Sequence, residues 1–145
     1  MHNIRLIYAS EAQPGLPYPD LTRLLVRARA HNTSEAITGI LCYGSGLFLQ
    51  AIEGRRTAVN TLYHSIARDE RHGACQLMSV EEIDTRVFGE WSMKLVGWDD
   101  VATENRRRIL HRHSGSTIFD PREMTGPQAL EFLRELAESE RLSAA

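Results

Sequence analysis

The sequence has little of what would make it a stapled, membrane-bound or strongly polarised chain. It holds only two cysteines in 145 residues, Cys42 and Cys75, and they form neither a CxxC pair nor a Cys/His ligand spacing. A disulfide framework and a metal site are therefore not expected, and both cysteines read as buried thiols of a reducing compartment. No apolar run approaches the roughly 18 residues that span a bilayer, and MHNIRLIYAS lacks the basic-then-apolar pattern of a leader, so a membrane is not an expected partner and the expected location is cytoplasmic. Neither sign of charge dominates: 17 basic and 19 acidic residues leave a net charge of -2, which argues against nucleic acid as a partner. Nucleophile and phosphate motifs are missing too, with no GxSxG, no paired carboxylates on one strand face, no GxGxxG and no Walker loop.

What remains is an ordinary composition, 42% hydrophobic and 25% charged, that suits one globular domain with a short appendage. A chain of this length buries roughly two thirds of its unfolded surface, enough for a real core. Residues 4–10, IRLIYAS, read as a first strand, followed by the loop EAQPGLPYPD with its three prolines. Asp20 is placed to cap a helix of about three turns, in which Leu21, Leu24, Leu25 and Ala28 repeat at helical spacing. ITGILCY and LFLQAIE flank GSG and predict a hairpin over 37–53. Val59, Leu62, Tyr63 and Ile66 predict a second helix that closes with RDERHG, Gly73 serving as its stop. CQLMSVEEI and WSMKLVGW complete the order β α β β α β β, an α+β arrangement expected to form a ferredoxin-like sheet with both helices on one face. Beyond it, VATENRRRILHRH and QALEFLRELAESERL predict two short helices joined by the breaker-rich FDPREMTGP, and an apolar helix from the tail or from a second subunit is expected to cover the open face. The basic run Arg106–Arg108 with His111, Arg112 and His113 reads as a solvated helix face.

Strand alternation singles out two polar side chains. Phe48, Gln50 and Ile52 share one side of the third strand, and an unpaired amide in that apolar row would cost on the order of 1 to 3 kcal/mol. Ile4, Leu6, Tyr8 and Ser10 share one side of the first strand, which neighbours the third in this topology, so Tyr8 is the expected partner of Gln50. A purely structural Tyr–Gln hydrogen bond would satisfy both. Asn32 closes the first helix and fits either a C-cap or a ligand contact. Arg71 and His72 could satisfy the last carbonyls of the second helix or line a cleft between the helices. Trp91 and Met93 open the last strand on one shared side, where a core pair is the plain reading.

Five separated segments, RLIYAS, Asn32 with TGILCY, FLQAIEG, DERH and F-x-x-WSM, resemble the BLUF domains, bacterial sensors of blue light using FAD, over roughly residues 3–98. LOV photosensors also contain FLQ, but their flavin adduct needs a cysteine where this chain has GSGL. The resemblance implies FAD held noncovalently between the two helices. It implies Tyr8 as the photoactive tyrosine that gives the flavin an electron and a proton, and Gln50 as the amide that re-pairs between tyrosine and flavin. By the same resemblance Asn32, with His31 beside it, would hold the flavin's carbonyl edge, Arg71 and His72 would lie near its ring and side chain, and Ser10 would neighbour the tyrosine. Trp91 and Met93 would be the switchable pair that passes the signal on. Leu24, Phe48 and Ile66 are the apolar walls expected from helix and strand facing. The resulting expectation is a non-enzymatic photoreceptor, with residues 1–98 as sensor domain and 99–145 as a C-terminal helical extension. No output domain fits after Trp98, so the signal is expected to reach a separate protein or a homo-oligomer. Two alternatives stand beside it: a small hydrolase of acylphosphatase type using Arg5 and Asn32, and a flavin-free oligomerisation module.

Overall fold

The structure, a computed structural model, describes residues 2–14, 18–98 and 104–144. The expected loop residues 15–17 and the first residues of the basic stretch, 101–103, lie outside them. Five strands, β1 (Asn3–Ala12), β2 (Thr38–Gly44), β3 (Leu47–Arg55), β4 (His72–Ile83) and β5 (Lys94–Gly97), form one sheet in the order β4-β1-β3-β2-β5. Neighbours are antiparallel except β2 and β5, which run parallel. The β2–β3 hairpin turns at Ser45 and Gly46, whose φ angles of 53° and 73° match the right-handed twist of the flanking strands. The ferredoxin-like α+β fold predicted from the sequence is the fold observed.

Pleating separates two apolar layers. On one face Ile4, Leu6, Tyr8 and Ile52 pack against Val59 of α2 (Arg56–Arg68), while Phe48 and Leu41 pack against Leu21 and Leu25 of α1 (Tyr18–Ser34). On the other face Ile7, Ile40, Leu49 and Ala51 meet Ile109 and Leu110 of α3 (Glu104–Ser114) and Ala129, Phe132, Leu133 and Leu136 of α4 (Gly126–Ala144). Helices of the same chain therefore cover the second face, as the tail's apolar spacing predicted. α4 runs 19 residues, longer than the short helix expected, because its apolar stripe continues through Ala137. A 3-10 turn, Pro121–Glu123, links α3 to α4 and is capped by the Asp120 carboxylate on the Arg122 N–H at 3.1 Å.

Three local expectations are corrected. α1 starts at Tyr18 and runs 17 residues, because Pro19 lies in the first turn, where no backbone donor is needed; Asp20 sits inside that turn and binds Arg23. α2 ends at Arg68, before DERH, since Asp69 is extended (φ -76°, ψ 129°), and Gly73 belongs to β4 rather than stopping a helix. Trp91 and Met93 precede β5, which begins at Lys94, so strand alternation does not govern them and they lie on opposite faces of the sheet.

Candidate functional site

The central pair forms because β1 and β3 are neighbours in register. Tyr8 stands opposite Gln50, both buried, and the Tyr8 hydroxyl donates to Gln50 Oε1. Burial, assisted by Cys75 and Tyr63, holds the Tyr8 phenol well above its ordinary range, so it stays protonated and able to donate. The Tyr63 ring lies 5.4 Å from it, centre to centre. Gln50 spends its amide donor on Met93, Nε2 to Sδ at 3.2 Å. A thioether is a weak acceptor, so this end of the amide is the easier one to exchange.

Around this pair α1 and α2 leave a cleft. Its inner part, about 110 Å³, is lined by Leu21, Leu24, Phe48, Gln50, Ile66 and Met93, among others. Its outer part, about 400 Å³, runs past Leu24, His31, Thr61, Asp69, Arg71 and His72. Leu24, Ala28, Arg71 and His72 line both parts, so the two are continuous. An apolar floor with a few converging polar groups suits a planar ligand of moderate size. His31 is exposed at the rim.

Asn32 is fully buried within the last turn of α1 and does not cap that helix with its side chain. The end of the helix is instead satisfied by the backbone, Ile37 N–H on the Asn32 carbonyl at 2.8 Å, with Ala36 in the left-handed region at φ 55°. Freed from capping, the side chain crosses to the Ser92 carbonyl (Nδ2 to O, 2.7 Å), and its Oδ1 is buried with no donor. Such an orphan costs about 1 to 3 kcal/mol unless a ligand supplies the hydrogen. Ser10 reaches His72 Nδ1 at 2.9 Å, and burial lowers the His72 pKa below its usual value. Arg71 does not serve the end of α2: it folds onto Asp69, holding that carboxyl down to about 2.

Met93 and Trp91 are separated by the sheet. Met93 is buried on the α1 face, and its carbonyl accepts from Arg29 Nε at 2.9 Å. Trp91 packs on the α3/α4 face under the guanidinium of Arg141, and its carbonyl accepts from Gly39 N–H at 2.9 Å. Gly39 permits this crossing, since a Cβ there would meet the Ala51 carbonyl at 2.1 Å and the Met93 methyl at 3.1 Å. Sequence patterns do not single out Arg29 and Arg141, because their partners, the Met93 carbonyl for one and Glu90 and the Val87 carbonyl for the other, lie 51 to 64 positions away. The hydrolase alternative fails on geometry: Arg5 is buried on the opposite sheet face from Asn32, bound to Glu53 at 2.9 Å and Glu81 at 2.7 Å. The expected solvated face of the basic stretch holds for Arg107, Arg108, His111 and Arg112, with Arg108 paired to Glu104 and Arg112 to Glu135, but not for Arg106 and His113, which turn inward onto Glu140 and Glu135 because these carboxylates of α4 face them. Among the described residues no helix is long and apolar enough to cross a membrane, and no cluster has a metal-ligand arrangement.

Comparison with known proteins converges on one group. The family model for sensors of blue light using FAD matches residues 4–94. Photoactivated adenylate cyclase subunit alpha of Euglena gracilis is 42% identical over 86 residues, covering 59% of this chain and 8% of that protein. The beta subunit from Euglena longa is 32% identical over 99 residues, covering 68% of this chain and 12% of its own length. The chain thus spans about a tenth of these relatives. The structure of BlsA in its photo-activated state superposes with a TM-score of 0.82 at 31% identity, over 92% of this chain and 94% of that one. Its ground state gives 0.81 at 30% identity, over 92% and 87%, so the overall fold does not separate the two states. BlrB, a BLUF protein in its dark state, gives 0.76 at 28% identity over 96% and 97%. With the family model matched over more than half of its length, the chain belongs to the BLUF family of blue-light sensors.

Proposed function

We propose that this chain is a blue-light photoreceptor that holds FAD noncovalently in the α1/α2 cleft and stores the absorbed photon as a changed hydrogen-bond pattern at Gln50. The observation that carries the reading is the buried chain Tyr8–Gln50–Met93 at the floor of an apolar cleft, beside the orphaned Asn32 Oδ1. A flavin imide edge carries both a donor and acceptors, which fits that orphan and the Gln50 amide. Leu24, Phe48 and Ile66 would flank the ring, and His31, Arg71 and His72 would line the path of its side chain, with Ser10 buried behind His72 on the strand of Tyr8. Bound FAD would supply visible absorption and, once excited, a strong one-electron oxidant.

The chain's own residues do the rest. Tyr8 is a phenol able to give up an electron, and its proton already lies on a hydrogen bond to Gln50 Oε1. The Gln50 amide both donates and accepts, so rotation or tautomerisation re-pairs it without stranding a charge. Re-pairing withdraws the donor that faces Met93 Sδ and biases whether Met93 or Trp91 occupies the floor of the cleft. The signal would leave through the segment joining β4 to β5 and the helices of residues 99–145, toward a separate protein or a homo-oligomer. Cyclase activity is named for the Euglena relatives, of which this chain matches only a small part.

Purified protein is expected to be yellow, to release FAD on denaturation, and to show a reversible red shift of flavin absorption under blue light. Tyr8→Phe and Gln50→Leu are each expected to keep the pigment and abolish the shift. A normal photocycle in either variant overturns the assignment, and a colourless protein after reconstitution with FAD overturns the reading itself.

A further inference from the structure

Two consecutive residues near the end of α4 grip opposite ends of the segment that carries Met93. Upstream, Arg141 binds the Glu90 carboxylate through Nε at 2.7 Å and Nη2 at 2.8 Å, donates to the Val87 carbonyl, and places its guanidinium carbon 5.1 Å from the centre of the Trp91 ring. Downstream, the Glu140 carboxylate accepts from Arg106 Nη2 at 3.1 and 3.2 Å and stands 3.9 Å from Lys94 Nζ, while Arg106 Nη1 donates to the Gly97 carbonyl at 3.0 Å. Between these two grips the Ser92 and Met93 carbonyls are held from the other side of the sheet by Asn32 and Arg29 of α1. Residues 87–97 are thus bonded to α1 at their centre, to α4 through Arg141 at their upstream end, and at their downstream end to Arg106 of α3, which Glu140 of α4 holds in place beside Lys94.

We propose that Arg141 and Glu140 are positioning residues that keep Trp91 on the α4 side of the sheet and thereby seat Met93 against Gln50, so that α4 and the Gln50 amide bias one shared two-state segment. The proposal rests on the photoreceptor reading for its purpose, though not for its geometry. Consecutive helix residues project about 100° apart, so the two grips diverge and α4 cannot slide or turn without loosening one of them. Coupling of this kind is reciprocal: whatever moves Met93 off Gln50 pulls on α4, and whatever anchors α4 favours Met93 in place. The planar guanidinium is needed, because it lies over an indole and forks onto a carboxylate at once, which an ammonium cannot reproduce.

The test uses the full chain with both tryptophans replaced by 5-fluorotryptophan, observed by fluorine NMR in the dark, with Trp91→Phe assigning the Trp91 signal. Arg141→Gln is expected to shift or split that signal and to lower the population of the α4-side position roughly tenfold, since it removes a cation–π contact and an ion pair together. Arg141→Lys is expected to fall between, and Glu140→Gln to act in the same direction. The blue-light red shift of Arg141→Gln should keep its size while its thermal return changes rate. Glu90→Gln, an exposed change on the loop side of the same grip, decides the matter should Arg141→Gln fail to fold. An unchanged Trp91 signal and an unchanged return rate in the folded grip variants overturn the proposal. Absence of any red shift in the unmodified protein overturns the photoreceptor reading instead, and leaves the dark NMR comparison to judge the grip alone.

Discussion

His72 joins β4 to the mouth of the cleft, and its protonation is set by its burial and by two charged neighbours. Burial lowers it most, the Asp69 carboxylate pulls it back up, and Arg71 lowers it again; Ser10 shares its Nδ1. A histidine whose folded pKa lies below its unfolded value, about 6.5, binds its proton more readily unfolded. Its contribution to stability is therefore complete above that pH and is lost as pH falls through the folded value. Replacing Asp69 with Asn removes the one group that raises it and releases Arg71 as an unneutralised cation, so the His72 midpoint should move further down. An NMR titration of the His72 ring checks this, and an upward shift in Asp69→Asn would show that Arg71 leaves the site altogether.

At the scale of the element, the segment between β4 and β5 is where structure departs from local pattern, and Glu53 explains how it is held. That carboxylate is fully buried on β3, binds Arg5, and accepts the backbone N–H groups of Val87 at 3.0 Å and Phe88 at 2.7 Å. Glu53→Ala would leave the buried Arg5 guanidinium with only the half-exposed Glu81 carboxylate and would take the acceptor from the Val87 and Phe88 N–H groups; removing one partner of a buried ion pair costs about 3 to 5 kcal/mol. Urea unfolding should report that loss; a drop below 1 kcal/mol would mean that water replaces the carboxylate. The same contacts mark how far the sequence could be read. Alternation and the Ser45–Gly46 turn suffice for β1, β2, β3 and the Tyr8–Gln50 pair, because period-two burial and register are local and nearest-neighbour properties. The path of residues 87–93 depends on bonds to Glu53, Gly39 and Asn32 from 34 to 60 positions away, and no local pattern encodes them. Alternation therefore placed Trp91 beside Met93, whereas the long-range bonds put them on opposite faces. For the same reason the partners of Asn32 and Met93, which are a carbonyl and an arginine from distant elements, were not visible.

For the molecule as a whole, one sheet serves two layers with separate duties. The α1/α2 layer encloses the polar pair and the cleft, while the α3/α4 layer holds the larger apolar cluster beside the buried Arg5–Glu53 ion pair, with Phe132 wholly buried and in edge contact with Trp98, which itself stacks on Phe119 at 5.5 Å. Stability should thus be concentrated on the face opposite the Tyr8–Gln50 pair. Phe132→Ala leaves a cavity in that layer and should cost about 3 to 5 kcal/mol. In thermal unfolding this should appear as a clear fall in Tm. Below the new Tm the size of the light-induced red shift should remain, since Tyr8, Gln50 and Asn32 lie across the sheet from the void. The thermal return, by contrast, should change, because loosening α4 loosens the hold of Arg141 and Glu140 on residues 87–97. A variant that lost red-shift amplitude in proportion to stability would show that the two layers act as one cooperative unit, with no division between a rigid support and a switchable floor.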